Sequence, residues 1–110
     1  VKKHSQKELV ISALLKGKEQ RKHYTHQLQD LSNTNVFGTV AVILKDSRFC
    51  ISIEEIHEPP VKSSALEEYD VEELHHLSTL LEVEDFLKQR LGIALDELGP
   101  ARGSRRFISE

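Results

Sequence analysis

Between residues 36 and 56 apolar and β-branched side chains crowd together, interrupted once by the polar run Lys45-Asp46-Ser47-Arg48. Two strand-like segments around a polar break predict a β-hairpin with strands over about 36–44 and 49–55. In the second segment Phe49, Ile51 and Ile53 alternate with Cys50, Ser52 and Glu54, so one face is predicted to be buried and the other to lie nearer water. The first segment is apolar on both faces around residues 40–44, which predicts the more central strand of the two.

The N-terminal segment carries a mixed pattern. Leu9, Val10, Ile11, Ala13, Leu14 and Leu15 cluster, a polar stretch covers 16–23, and Tyr24, Leu28 and Leu31 then recur at i, i+4 and i+7. That recurrence favours a helix. Two strands over 8–15 and 22–28 are the alternative, because Gly17 is a poor mid-helix residue and Tyr24, His26 and Leu28 also alternate. The run Leu31-Ser32-Asn33-Thr34-Asn35 is turn chemistry and closes the segment.

C-terminal to the hairpin, His57-Glu58-Pro59-Pro60 stops the second strand, since proline has no N–H for a ladder, and residues 61–69 read as a connector. Asp70 and Glu73 have the spacing of a capping pair, and Leu74, Leu77 and Leu81 repeat along one helical face. They predict a helix starting near Asp70, within a helical region over about 70–91. Phe86, Leu87 and Leu91 form a second stripe, with continuity through Glu82-Val83-Glu84-Asp85 left open. Gly92 followed by Ile93 matches a left-handed glycine ending. Beyond Gly99-Pro100, Arg102, Arg105 and Arg106 surround Phe107 and Ile108 in either a short strand or a frayed terminus.

These elements predict one α+β domain over residues 1–110: an antiparallel hairpin or small sheet packed against a C-terminal helical region, with the N-terminal segment a helix or additional strands. A lone two-stranded hairpin is marginal. Either residues 8–28 add strands or a second subunit completes the sheet, so a homodimer is an expectation.

Composition narrows the class. With 38% hydrophobic and 30% charged residues the chain has a folded protein's mixture and not a disordered one's. Two Tyr, four Phe and no Trp leave few stacking platforms for single-stranded nucleic acid. The single cysteine, Cys50, excludes an intramolecular disulfide, and between Phe49 and Ile51 it reads as a small buried hydrophobe. The longest apolar run, 40–44, is too short to span a bilayer, and Val1-Lys2-Lys3-His4 leads into no signal-type apolar core. A cytoplasmic location, away from membranes, is the expectation.

Charge is divided along the chain. Residues 1–26 carry seven Lys and Arg against two Glu, whereas 54–85 carry eleven Asp and Glu against Lys62 alone. A field of one sign raises the rate of association with an opposite partner. The leading functional expectation is therefore a non-enzymatic binding or regulatory module of immunity, antitoxin or adaptor type. It would present Glu67, Glu68, Asp70, Glu72, Glu73, Glu82, Glu84 and Asp85 to a basic protein partner, self-association being the other use of the divided charge.

Candidate chemistry is sparse. Adjacent carboxylates such as Glu54-Glu55, Glu67-Glu68 and Glu72-Glu73 point apart on a strand or helix and do not converge on a substrate. The five glycines are scattered, so no phosphate loop forms. Six histidines are numerous, yet no local Cys/His cluster supplies the three or four ligands of a zinc site; no metal or cofactor is expected. Arg21 and His26 have an Arg-x4-His spacing that resembles that of the helical HEPN ribonucleases, and the resemblance implies that Arg21 and His26 meet an RNA phosphate. With His23 on the same helical face as His26, a small His/Arg-dependent ribonuclease or hydrolase is the alternative function. Residues 86–96 look like the last helix and strand of minimal nucleotidyltransferases, but 49–53 lacks the paired metal-binding aspartates of that family, which puts transferase activity in doubt. A weak nucleic-acid binder acting through the basic N-terminus is the third class, disfavoured by the net charge of −3 and the scarcity of aromatics.

Overall fold

The computed structural model describes residues 5–27, 35–58 and 71–100. Their elements are α1 (Gln6–Leu15), β1 (Gln20–Gln27), β2 (Asn35–Lys45), β3 (Arg48–Glu58), β4 (Val71–Leu77), α2 (Leu80–Leu91), a 3-10 turn at Leu95–Glu97, and the two-residue β5 (Gly99–Pro100). The strands form one antiparallel sheet in the order β4-β3-β2-β1-β5. The α+β class holds, and the chain itself supplies the strands that a lone hairpin lacks.

The predicted hairpin is β2 and β3, paired from Asn35↔Glu58 to Lys45↔Arg48. Asp46 and Ser47 both take positive φ, 52° and 63°, the two-residue turn whose backbone twist matches that of the flanking strands. β2 lies third of five, the central position its apolar run predicts.

The N-terminal segment satisfies each competing expectation in part. Residues 6–15 are helical: the Ser5 hydroxyl accepts from the Glu8 N–H at 3.1 Å, and Val10 and Leu14, four apart, turn inward. Gly17, at φ 78°, takes the chain out of the helix. Residues 20–27 are then a strand, so the alternation of Tyr24 and His26 is the pattern that decides, not the Tyr24/Leu28/Leu31 spacing. Leu28 and Leu31 lie outside the described residues, as does 31–34 of the predicted turn.

The helix expected to start near Asp70 is corrected. Val71–Leu77 is a strand paired with β3, and the helix begins at Leu80. Its capping box uses Thr79 and Glu82, the same three-residue spacing as Asp70 and Glu73. Strand pairing outweighs the leucine spacing because Val71, Glu73, His75 and Leu77 alternate with Glu72, Leu74 and His76 on a half-covered edge strand. α2 runs unbroken through residues 82–85 and ends as predicted: Gly92 has φ 67°, and the Ile93 N–H donates to the Leu87 carbonyl at 3.2 Å. Asp70, Pro59, Pro60, the 61–69 connector and the arginine-bearing tail lie outside the described residues.

One core joins these parts. Val10 and Leu14 from α1, Val83 and Leu87 from α2, and Ile93, Leu95 and Leu98 from the C-terminal segment close over Val40, Val42, Phe49, Ile51 and Ile53. The register places those five strand residues on one face, so both helices cover that face. Among the described residues no helix covers the other, and no helix is long and apolar enough to cross a membrane.

Candidate functional site

Alternation along the strands assigns each polar residue to the helix-covered face or the open one. On the open face Arg21, His23 and Thr25 of β1 lie beside Phe37, Thr39, Ala41 and Ile43 of β2, then Cys50, Ser52, Glu54 and Ile56 of β3, then Glu72, Leu74 and His76 of β4. Near the hairpin turn Ala41, Ile43 and Cys50 are buried. Toward the other end the face opens. Phe37 and Ile56 are directly opposite each other, and each is 44% exposed. In the adjoining row Glu54 is opposite Glu72, and one row further Ser52 is opposite Leu74, which is 59% exposed. The Phe37–Ile56 pair, the Glu54–Glu72 pair and the Ser52–Leu74 pair thus follow one another along the open face.

At the same end, the helix-covered face carries a polar network. Tyr24 donates its hydroxyl to Glu55 at 2.5 Å, and His57 Nε2 is 3.4 Å from the other oxygen of Glu55. Burial, then the bond to Glu55, pushes the Tyr24 hydroxyl pKa well above its ordinary value. Glu73 meets Arg90 of α2 at 2.6 Å and His75 at 2.8 Å. The Arg90 bond, then the His75 bond, holds the Glu73 carboxyl below the usual range, and Glu73 raises Arg90 in turn. His75 also packs against Phe86, and the Tyr24 ring stacks parallel to His26. The Tyr24–Glu55 bond thus spans from β1 to β3, and the Glu73–Arg90 pair ties the sheet to α2.

The acidic residues expected at a partner surface have separate fates. Glu67, Glu68 and Asp70 lie outside the described residues. Glu72 is exposed on the open face, whereas Glu73 is on the covered face with Arg90. The Glu82 carboxylate accepts from the Thr79 N–H at 3.0 Å in the helix cap, and Glu84 reaches Lys7 of α1 at 3.1 Å. Asp85 lines a groove of about 470 Å³ bounded by α2, the C-terminal segment and Lys7 of α1, whose charged residues are of both signs.

The proposed ribonuclease residues do not converge. Strand alternation puts Arg21 and His23 on the open face and His26 on the covered one. The Arg21 guanidinium is committed to Glu19 through Nε at 3.1 Å and Nη2 at 2.6 Å, with only 11% and 2% of the two side chains exposed. His23 Nδ1 lies 2.9 Å from the Thr39 hydroxyl. Cys50 is a buried free thiol, and among the described residues no three His, Cys, Asp or Glu are grouped to hold a metal ion.

Sequence reasoning did not single out Phe37, Ile56 or Glu54 as surface partners, nor Tyr24 and Glu55 as a pair. One signal was present: on the covered face of β3 the apolar series Phe49, Ile51, Ile53 continues as Glu55 and His57. Comparison with protein families, with curated proteins and with solved structures finds no match to this chain.

Proposed function

We propose that this chain is a non-enzymatic binding module that takes a basic protein partner on the open face of its sheet. The observation that carries this reading is the exposed Phe37–Ile56 pair next to the Glu54–Glu72 row. An aromatic and an aliphatic side chain supply area that gains on leaving water, and exposed apolar patches rimmed by polar groups mark interaction surfaces. The exposed Glu72 carboxylate favours a partner that brings Lys or Arg beside an apolar residue. Of the acidic set read from the sequence, Glu72 belongs to this surface and Glu54 joins it. Glu73, Glu82 and Glu84 serve the fold through Arg90, the α2 cap and Lys7.

The test is capture of basic proteins from the native host on immobilised chain, comparing wild type with Phe37→Ser and with Glu54→Lys/Glu72→Lys. The reading expects a protein retained at low salt, released by added salt, and lost in both variants. Retention that neither variant changes would refute it.

A further inference from the structure

We propose that two copies of the chain pair edge to edge through β4, antiparallel about Leu74, to form a two-fold homodimer with one continuous sheet. β4 ends the sheet on one side, and among the described residues nothing pairs with its outer edge. Exposed edges invite pairing with another chain, and folded proteins commonly blunt them with lysine, proline or a bulge. β4, Val71-Glu72-Glu73-Leu74-His75-His76-Leu77, contains neither lysine nor proline, and its charges are Glu72 and the inward-facing Glu73. Its pattern is instead complementary to its own reverse.

Antiparallel pairing centred on Leu74 sets Glu72 opposite His76 of the second copy and Glu73 opposite His75 of the second copy. Val71 meets Leu77, and Leu74, 59% exposed, meets itself. An imidazole N–H donates to a carboxylate whether or not the ring is charged, and opposite cross-strand partners are the favourable ones. Competing arrangements lack this match. Parallel in-register pairing puts Glu72 against Glu72 and Glu73 against Glu73. Shifting the antiparallel register by two residues centres it on Glu73 or on His75, so like faces like. Register in a sheet is fixed by such side-chain matching. The two-fold axis stands perpendicular to the sheet at Leu74, so the helices of both copies lie on one side and both open faces on the other. Closed two-fold pairing also consumes the edge, which prevents open-ended growth.

Analytical ultracentrifugation of the full chain alone tests this without any partner protein. A seven-residue seam belongs to the small, exchanging class of interface, so the series should span about 5 to about 300 µM. Wild type is expected to move from monomer to dimer across it. Leu74→Lys places two ammonium groups together on the axis and is expected to stay monomeric with an unchanged circular dichroism spectrum. Glu72→His and His76→Glu each set like against like at two symmetric positions and should weaken dimerisation about fivefold or more. The combined Glu72→His/His76→Glu chain restores unlike pairs and should dimerise more tightly than either single variant. A wild type that remains monomeric throughout, a folded Leu74→Lys chain that still dimerises, or a combined variant no tighter than the singles would overturn the proposal.

Discussion

Gly38 lies directly opposite Tyr24 across β1 and β2, and the tyrosine ring occupies the space that a side chain at position 38 would need. A Cβ built there would come within 2.6 Å of the Tyr24 hydroxyl oxygen and closer still to the ring carbons. An aromatic ring laid over a strand glycine covers its bare backbone. Here it also carries the hydroxyl to Glu55. Alanine would otherwise be the better strand residue by about 0.5–1 kcal/mol, so the clash sets the sign. Gly38→Ala is expected to destabilise by about 1–3 kcal/mol in a urea titration. In a Tyr24→Ala background the same substitution should be neutral or slightly stabilising.

Tyr24→Phe removes the donor that Glu55 receives and should cost about 1–3 kcal/mol at neutral pH. The Tyr24 pKa is raised in the fold, so the native chain keeps a proton that the unfolded chain loses from about pH 10.0 upward. The stabilisation is fully present below that pH and is lost progressively as pH rises from there toward the raised folded value. The stability gap between wild type and Tyr24→Phe, followed by denaturant unfolding from pH 7 to 11, should therefore stay constant up to about pH 10 and begin to narrow above it.

Glu73 behaves in the opposite sense. Its carboxyl is held below its ordinary value of 4.5, chiefly by Arg90 and then by His75. The contribution is present above that value and fades as pH falls through the depressed one. The pair is solvated on both sides, so Glu73→Gln should cost at most about 1 kcal/mol at pH 7. The gap from wild type should close in acid, read as the difference in melting temperature between pH 7 and pH 3.

At the start of α2, Thr79 and Glu82 cap each other's backbone N–H groups. Thr79→Ala is expected to cost about 1 kcal/mol. An equal substitution at Ser78, whose side chain makes no such cap, should cost less in the same thermal melt.

Much of this fold can be read from the chain. The β2–β3 hairpin follows from crowded β-branched residues around a polar turn, and the end of α2 follows from Gly92 and Ile93. Where sequence reasoning failed, two patterns coincided on the same residues. Leu74, Leu77 and Leu81 fit a helical stripe, but Leu74 and Leu77 fall on opposite faces of a strand, and only the partner β3 decides between them. The candidate site was less legible than the fold. Glu72 is equally acidic in a helix and in a strand, but only the strand register sets it against Glu54, one row from the Phe37–Ile56 pair. His23 and His26 share a face on a helix and take opposite faces on a strand, so one change of element dissolves the ribonuclease constellation.

The most direct test of the open-face claim replaces single residues with a photoreactive phenylalanine and asks where the captured basic partner cross-links. Position 37 stands for the open face, and Leu81, 68% exposed on α2, stands for the helical side. The account expects strong cross-linking from position 37, suppressed by Glu54→Lys/Glu72→Lys, and little from position 81. Cross-linking from position 81 with none from position 37 would contradict it.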